Sequence, residues 1–280
     1  MNLLVFGLGY STSWFARHHA GPFSRIAGTT RSGACDVEGV EALAFDGQHA
    51  DARLLAAIAE ADALLVSIPP ATGPDPVLAA CGAAIARSAR LRAVVYLSTI
   101  GVYGDRGGAW VDESMPPAPS SPRTRARVAA EQGWLALHRN VHVLRLAGIY
   151  GPGRNALVNL REGTARRIAK PGQVFNRIHV EDIARAIAAA LEHRDGGVWN
   201  VADSEPAPPQ EVIAHAAALL GMPPPPEVPF GEAEMTPMAR SFYAENKRVS
   251  NRRLLEQLGV TLAYPTYREG LAALAREMKA

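Results

Sequence analysis

An apolar run, Leu3-Leu4-Val5-Phe6, leads directly into Gly7-Leu8-Gly9, and the helical spacing of Trp14, Phe15 and His18 begins just after it. A strand that turns on glycine into a helix leaves few folds open. Backbone N–H groups and the positive end of the helix converge at the strand's carboxyl end, a seat for phosphate made from main chain alone. Gly7 permits the tight turn, and Gly9 has no Cβ to hold a pyrophosphate away. The G-x-G-x-x-G pattern lacks its third glycine, whose place Thr12 takes. Thr12 either loosens the contact between helix and sheet or offers its hydroxyl to a phosphate. Gly7, Leu8, Gly9, Tyr10, Ser11 and Thr12 are thus the first candidate ligand contacts.

The same alternation continues down the chain. Ser24 to Thr29, Ala42 to Phe45, Ala63 to Val66, Ala93 to Leu97 and Val141 to Leu146 read as strands, with helical patterns among them. Such alternation predicts βαβ units and a parallel sheet. Right-handed crossovers place every strand's carboxyl end on one rim, where open α/β sheets bind ligands. Asp46, the run Ser67-Ile68-Pro69 and Thr99 all fall on that rim. Beyond Tyr150 the rhythm breaks. Helices are expected over Leu157 to Ile168, Val180 to Leu191, Glu211 to Leu220, Arg248 to Leu258 and Tyr267 to Met278, with a strand at Val198 to Val201. The expectation is an α/β fold: a doubly wound parallel sheet under a smaller, mainly helical C-terminal lobe. Residues 1–155 with about 176–202 would form the first part, and 156–175 with 203–280 the second.

Composition narrows the function. The 280 residues carry a net charge of +2 with dispersed Lys and Arg, so no nucleic-acid face is expected. The two cysteines, Cys35 and Cys81, read as reduced thiols and suit a cytoplasmic protein. The start lacks the positive flank of a signal peptide, and no apolar stretch is long enough for a membrane span. The histidines show no metal-ligand spacing, so no metal site is expected. Neither a G-x-S-x-G elbow nor a G-x-x-x-x-G-K-[ST] loop occurs.

Taken together, the rim segments resemble the extended, atypical short-chain dehydrogenase/reductase family, which includes nucleotide-sugar epimerases and dehydratases. The resemblance rests on the glycine turn, on Ser98-Thr99-Ile100-Gly101-Val102-Tyr103-Gly104 and on Arg127-Val128-Ala129-Ala130-Glu131. It rests also on Arg145 to Gly153, which ends in Tyr150-Gly151-Pro152-Gly153, and on His179-Val180-Glu181-Asp182. It implies a Rossmann-type domain that binds NAD(P), a C-terminal lobe that binds a small-molecule substrate, and a possible homodimer. It also implies that Thr99 hydrogen-bonds the substrate oxygen, that Arg127 holds the cofactor ribose and that Asp46 meets the adenine. The family's Tyr-x-x-x-Lys pair is missing: Arg123 and Arg127 stand at its two positions. Arginine cannot be deprotonated in a protein, so Arg123 cannot exchange a proton as a tyrosinate would.

The cofactor cue is Thr29-Thr30-Arg31-Ser32, where an acid would mark NAD. A guanidinium with hydroxyls beside it suits a 2′-phosphate, so NADP is the first expectation and NAD the second. Ser67, Ile68 and Pro69 would line the cofactor's middle. Tyr103 and Tyr150 are either packing aromatics or stand-ins for the missing tyrosine. His179 is either a satisfied histidine or a substrate contact, and Arg154 and Arg177 are either surface charges or seats for an anion. The chain therefore reads as an NAD(P)-dependent oxidoreductase or epimerase/dehydratase-like enzyme acting on a small polar, nucleotide-linked or phosphorylated sugar. The alternative is a non-catalytic NADP-binding sensor.

Overall fold

The structure, a computed structural model, describes residues 1–279. Its first part alternates strand and helix except between β2 and β3: β1 (Asn2–Phe6), α1 (Tyr10–His18), β2 (Arg25–Thr30), β3 (Val40–Ala44), α2 (Ala52–Glu60), β4 (Ala63–Val66), α3 (Pro76–Ala86) and β5 (Ala93–Thr99). A 3-10 turn (Ile100–Tyr103), β6 (Trp110–Val111), α4 (Pro122–Leu137), β7 (Val141–Leu146) and β8 (Gly148–Tyr150) follow. The remainder comprises α5 (Ala156–Arg161), β9 (Arg167–Ala169), β10 (Arg177–His179), α6 (Val180–Glu192), β11 (Gly197–Val201) and α7 (Pro209–Leu220). The last elements are β12 (Glu227–Pro229), α8 (Pro237–Phe242), β13 (Arg248–Val249), α9 (Arg252–Glu256) and α10 (Tyr267–Glu277).

Every apolar run expected to form a strand joins one seven-stranded parallel sheet, in the order β11-β7-β5-β4-β1-β2-β3. Strands buried on both faces read as near-continuous apolar runs, which is why they were visible. The two-residue side-chain period sorts β1 between two cores. Leu3 and Val5 pack with Phe15 and Ile183 on one face, while Leu4 and Phe6 pack with Leu54, Cys81 and Trp134 on the other. The reversal of strand order between β1 and β4 opens a crevice at their carboxyl ends, where such sheets bind ligands.

Two expected helices fail. The helix expected from Leu157 to Ile168 stops at Arg161, because Gly163 turns the chain at φ +69° and Arg167–Ala169 pairs with β12 as a strand. The helix expected from Arg248 begins as β13 paired with β6, and only Arg252–Glu256 is helical.

Beyond the sheet lie two smaller cores. One gathers Tyr150, Leu157, Val212, Tyr267 and Leu271, the other Ile168, Ala233 and Tyr243. The segment from Val249 to Leu262 returns to the core on the first face of the sheet, through Leu254, Leu258 and Val260. Among the described residues no helix is long and apolar enough to cross a membrane.

Candidate functional site

The glycine turn is held by side chains as well as glycines. Gly7 has φ +91°, and a Cβ there would come within 2.8 Å of Ile68 Cγ1, so only glycine fits. Its N–H donates to Thr29 Oγ1 at 2.9 Å, and the Leu8 N–H donates to the Thr29 carbonyl at 3.0 Å. A Cβ on Gly9 would meet nothing within 4 Å, which leaves its face open to a close-fitting ligand. Thr12 is fully buried. Its hydroxyl donates to the Gly7 carbonyl at 2.7 Å and accepts the Gly9 N–H at 2.9 Å. The hydroxyl therefore ties the turn together and is not available to a phosphate, which corrects that expectation. Helix geometry leaves the N–H groups of Tyr10, Ser11 and Thr12 without intrahelical acceptors at the crevice. The Tyr10 side chain instead crosses to the Gly151–Arg154 turn, where its hydroxyl donates to the Pro152 carbonyl at 3.0 Å.

In front of this turn runs an open cleft of about 670 Å³, lined by Gly7, Leu8, Gly9, Arg31, Asp46, Ser67, Ile68 and Pro69. It brings together the sequence-expected contacts from the ends of β1, β2, β3 and β4. Thr29, Phe45 and Gln48 also line it and were not singled out, although Thr29 and Phe45 sit at strand ends beside residues that were. Arg31 is exposed and makes no ion pair among the described residues. One oxygen of Asp46 accepts the N–H groups of Gln48 at 2.7 Å and His49 at 3.0 Å, which holds its carboxyl below the usual range. A second hollow of about 730 Å³ lies between α3 and α4, lined by Leu78, Ala79, Arg125 and Ala129, and meets the cleft at Gly73 and Pro74.

Thr99 ends β5, half-buried. Its Oγ1 accepts the Gly101 N–H at 3.1 Å, which orients the hydroxyl and leaves its proton free to donate. Arg127 is turned toward β5, its NH1 donating to Tyr96 Oη and to the Leu97 carbonyl, each at 3.0 Å. Arg123 is exposed and reaches the other way, with its guanidinium carbon 5.9 Å from the Phe242 ring of α8.

Tyr103 is withdrawn from the cleft, against expectation. It is completely buried, its hydroxyl donating to Asn200 Oδ1 at 2.8 Å and accepting from Arg145 NH1 at 2.9 Å. Arg145 also binds Glu131 through Nε and NH2, and Ser98 Oγ donates to the same carboxylate. This closed network pins the turn after Thr99 to β7 and β11. His179 caps α6: its Nδ1 accepts the Glu181 N–H at 3.1 Å, its Nε2 is buried without a protein partner, and burial lowers its pKa to about 4. Its ring packs edge-on to Tyr150 at 5.1 Å. The Tyr150 hydroxyl is buried without a protein partner, and burial raises its pKa. Arg154 is exposed beside Tyr10, its guanidinium carbon 5.8 Å from that ring.

The profile of the NAD dependent epimerase/dehydratase family matches residues 71–202. That segment is just under half of the chain. The extended short-chain dehydrogenase/reductase resemblance and the Rossmann-type fold both stand. A protein of unknown function from Silicibacter pomeroyi is 50% identical, with a TM-score of 0.89 over 100% of this chain and 99% of that one. A 3-diazoavenalumate denitrifying reductase from a Streptomyces species is 30% identical over 206 residues, 66% of each chain. The match thus spans just under two thirds of that curated relative's length. MoeE5, whose structure holds UDP-glucuronic acid and NAD, is 22% identical with a TM-score of 0.78 over 100% of this chain and 99% of its own, a likeness of fold.

Proposed function

We propose that the chain is a reductase-type oxidoreductase that uses a nicotinamide dinucleotide, NADP in preference to NAD. The observation that carries this reading is the cleft in which an open Gly9 face and free helix-terminal N–H groups share one wall with an unpaired Arg31. The backbone at Gly9 to Thr12 would hold the pyrophosphate. Arg31 with Thr30 and Ser32 would meet a 2′-phosphate, Asp46 the adenine end, and Ser67 to Pro69 the middle. In this reading residues 1–155 with about 176–202 carry the dinucleotide, and most of the remainder the substrate. When bound, the nicotinamide supplies a hydride donor or acceptor.

The chain's own contribution at the reacting end is the oriented Thr99 hydroxyl. Tyr103 and His179 are sealed, and Arg127 is engaged by β5. This arrangement suits an acceptor already electron-poor enough to take hydride without a phenol to protonate it. A relative named as a denitrifying reductase supports the same class. The turning of Arg123 toward Phe242 favours the second reading, a dinucleotide-binding protein without turnover.

Thermal unfolding with each dinucleotide tests the proposal. A ligand at about a hundredfold its Kd adds about 2.7 kcal/mol, or roughly 5–10 °C for a chain of this size. NADPH is expected to give that shift and NADH less, with Arg31→Ala removing the difference. Equal shifts refute the NADP preference, and no shift with either refutes the dinucleotide reading. NADPH binding without oxidation by any electron-poor acceptor favours the sensor.

A further inference from the structure

The cleft proposed to hold the dinucleotide has an uneven supply of positive charge. Among the described residues that line it the only cation is Arg31, just past the end of β2. In the reading above Arg31 meets the 2′-phosphate, so on that wall the pyrophosphate faces backbone N–H groups and no side-chain cation. A pyrophosphate carries two negative charges, and a helix terminus answers them with about half an elementary charge.

A further cation stands close to that terminus, on the turn that leads into α5. The Arg154 guanidinium carbon lies 5.8 Å from the Tyr10 ring, and Tyr10 is the first residue of α1. The Tyr10 N–H therefore belongs to the phosphate seat, while its side chain runs from that seat to the turn. Its hydroxyl donates to the Pro152 carbonyl at 3.0 Å. Burial raises the phenol's pKa against the pull of the Arg154 charge, which keeps the hydroxyl a donor. A Cβ on Gly151 would come within 2.6 Å of that hydroxyl and 2.7 Å of Val180 Cγ1, so the turn accepts Tyr10 only because glycine stands there.

The turn is also fixed from within. The Gly151 N–H donates to the Arg154 carbonyl at 3.0 Å, and the Arg154 N–H donates to the Gly151 carbonyl at 3.1 Å. Gly153 supplies the positive φ of +72° that the reversal requires. Asn155 Nδ2 donates to the same Gly151 carbonyl at 2.8 Å, while its Oδ1 caps α5 through the N–H groups of Leu157 and Val158. The Arg154 backbone is thus set before any ligand arrives, and the ring beside it restricts its exposed guanidinium. A guanidinium held in place is suited to a phosphate oxygen, which it meets with two parallel N–H groups.

We infer that Arg154 is a second cation of the cofactor site, meeting the pyrophosphate from the side of the C-terminal lobe, and that the Tyr10 side chain positions it. This adds residues to the dinucleotide reading and rests on it. The turn opens α5, so a dinucleotide gripped by Arg154 is held by the sheet and by the first helix of the lobe together.

Calorimetric titration of the whole protein with NADPH, NADH and adenosine 2′-monophosphate tests the inference. NADH keeps the pyrophosphate and lacks the 2′-phosphate; the monophosphate has the reverse. Arg154→Gln is expected to weaken NADPH and NADH alike, by about tenfold or more, and to leave the monophosphate unchanged. Arg31→Ala is expected to do the opposite, weakening NADPH and the monophosphate and sparing NADH. Arg154→Lys should lose less than Arg154→Gln. Tyr10→Leu, which removes the ring and the hydroxyl, should reproduce most of the Arg154→Gln loss, and Tyr10→Phe, which keeps the ring, only a severalfold part of it. The double variant Tyr10→Leu/Arg154→Gln should bind no more weakly than Arg154→Gln alone, because the two act as one unit. The inference is overturned if Arg154→Gln binds both dinucleotides like the parent, if it weakens them unequally, or if it weakens the monophosphate as much. Additive losses in the double variant overturn the role given to Tyr10. A parent that binds neither dinucleotide sinks the dinucleotide reading and this inference with it, whereas a parent that binds them and an Arg154→Gln variant that binds as well sink this inference alone.

Discussion

Replacing Thr12 by valine removes one buried oxygen and keeps the shape of the side chain. The hydroxyl that is lost both donates to the Gly7 carbonyl at 2.7 Å and accepts the Gly9 N–H at 2.9 Å. These two backbone groups also bond each other at 3.0 Å, so each keeps one strained partner rather than none. Leaving a buried polar group unsatisfied costs about 1–3 kcal/mol, and with that partial compensation the pair should cost about 2–3 kcal/mol together. For a chain of this length that corresponds to a fall of roughly 4–12 °C in Tm. Thr12→Ser keeps the hydroxyl and loses only a buried methyl, about 1 kcal/mol, or roughly 2–4 °C. Thr12→Gly restores the family's third glycine, yet it should be at least as damaging as valine, because it loses both bonds and adds backbone freedom. The assay is thermal and urea unfolding of the three variants without ligand. The reasoning is refuted if Thr12→Gly is as stable as the parent, or if valine costs no more than serine.

Glu131→Gln leaves Arg145, only 4% exposed, as a buried cation facing a neutral amide. It should cost about 3–5 kcal/mol, seen as a Tm fall of roughly 6–20 °C, and an unchanged melting curve would remove the role given to that network. Asp203 is buried, with one oxygen unpartnered, and burial raises its pKa to about 8 against 3.8 unfolded. Between those values the unfolded chain has lost a proton that the folded chain keeps, so this carboxyl makes stability fall as pH rises from about 4 to about 8. Asp203→Asn should flatten that part of the stability profile in urea titrations run at several pH values; an unaltered slope would show that the carboxyl titrates normally.

What could be read from the chain alone divides along physical lines. The strands of the central sheet were legible because burial on both faces writes itself as continuous apolar runs such as Ala63 to Val66. The cleft was legible because its contacts sit at the ends of those strands. The short strands beyond the sheet were not, since three residues such as Arg167-Ile168-Ala169 carry no period to detect. Nor was the sealing of Tyr103. Its partners Arg145 and Asn200 lie 42 and 97 residues away, and only the folded sheet brings them together. The capture of Arg127 by the β5 carbonyl at Leu97 was equally hidden, because it depends on where α4 packs.

The placing of the cores has a consequence for how such a protein can vary. The chain passes from the sheet's core to one of the smaller cores, or back, at five places: Ala147 to Tyr150, Ile168 to Ile178, Ala202 to Ala207, Tyr243 to Val249 and Leu262 to Tyr267. A part stitched on at so many places cannot be inherited, exchanged or cut free as a cassette. Variation must instead come from side chains changed one at a time between fixed seams, while the glycine turn is left undisturbed. The same stitching rules out a door on a single hinge, so any closing over a ligand must be a shallow flexing shared among all five seams.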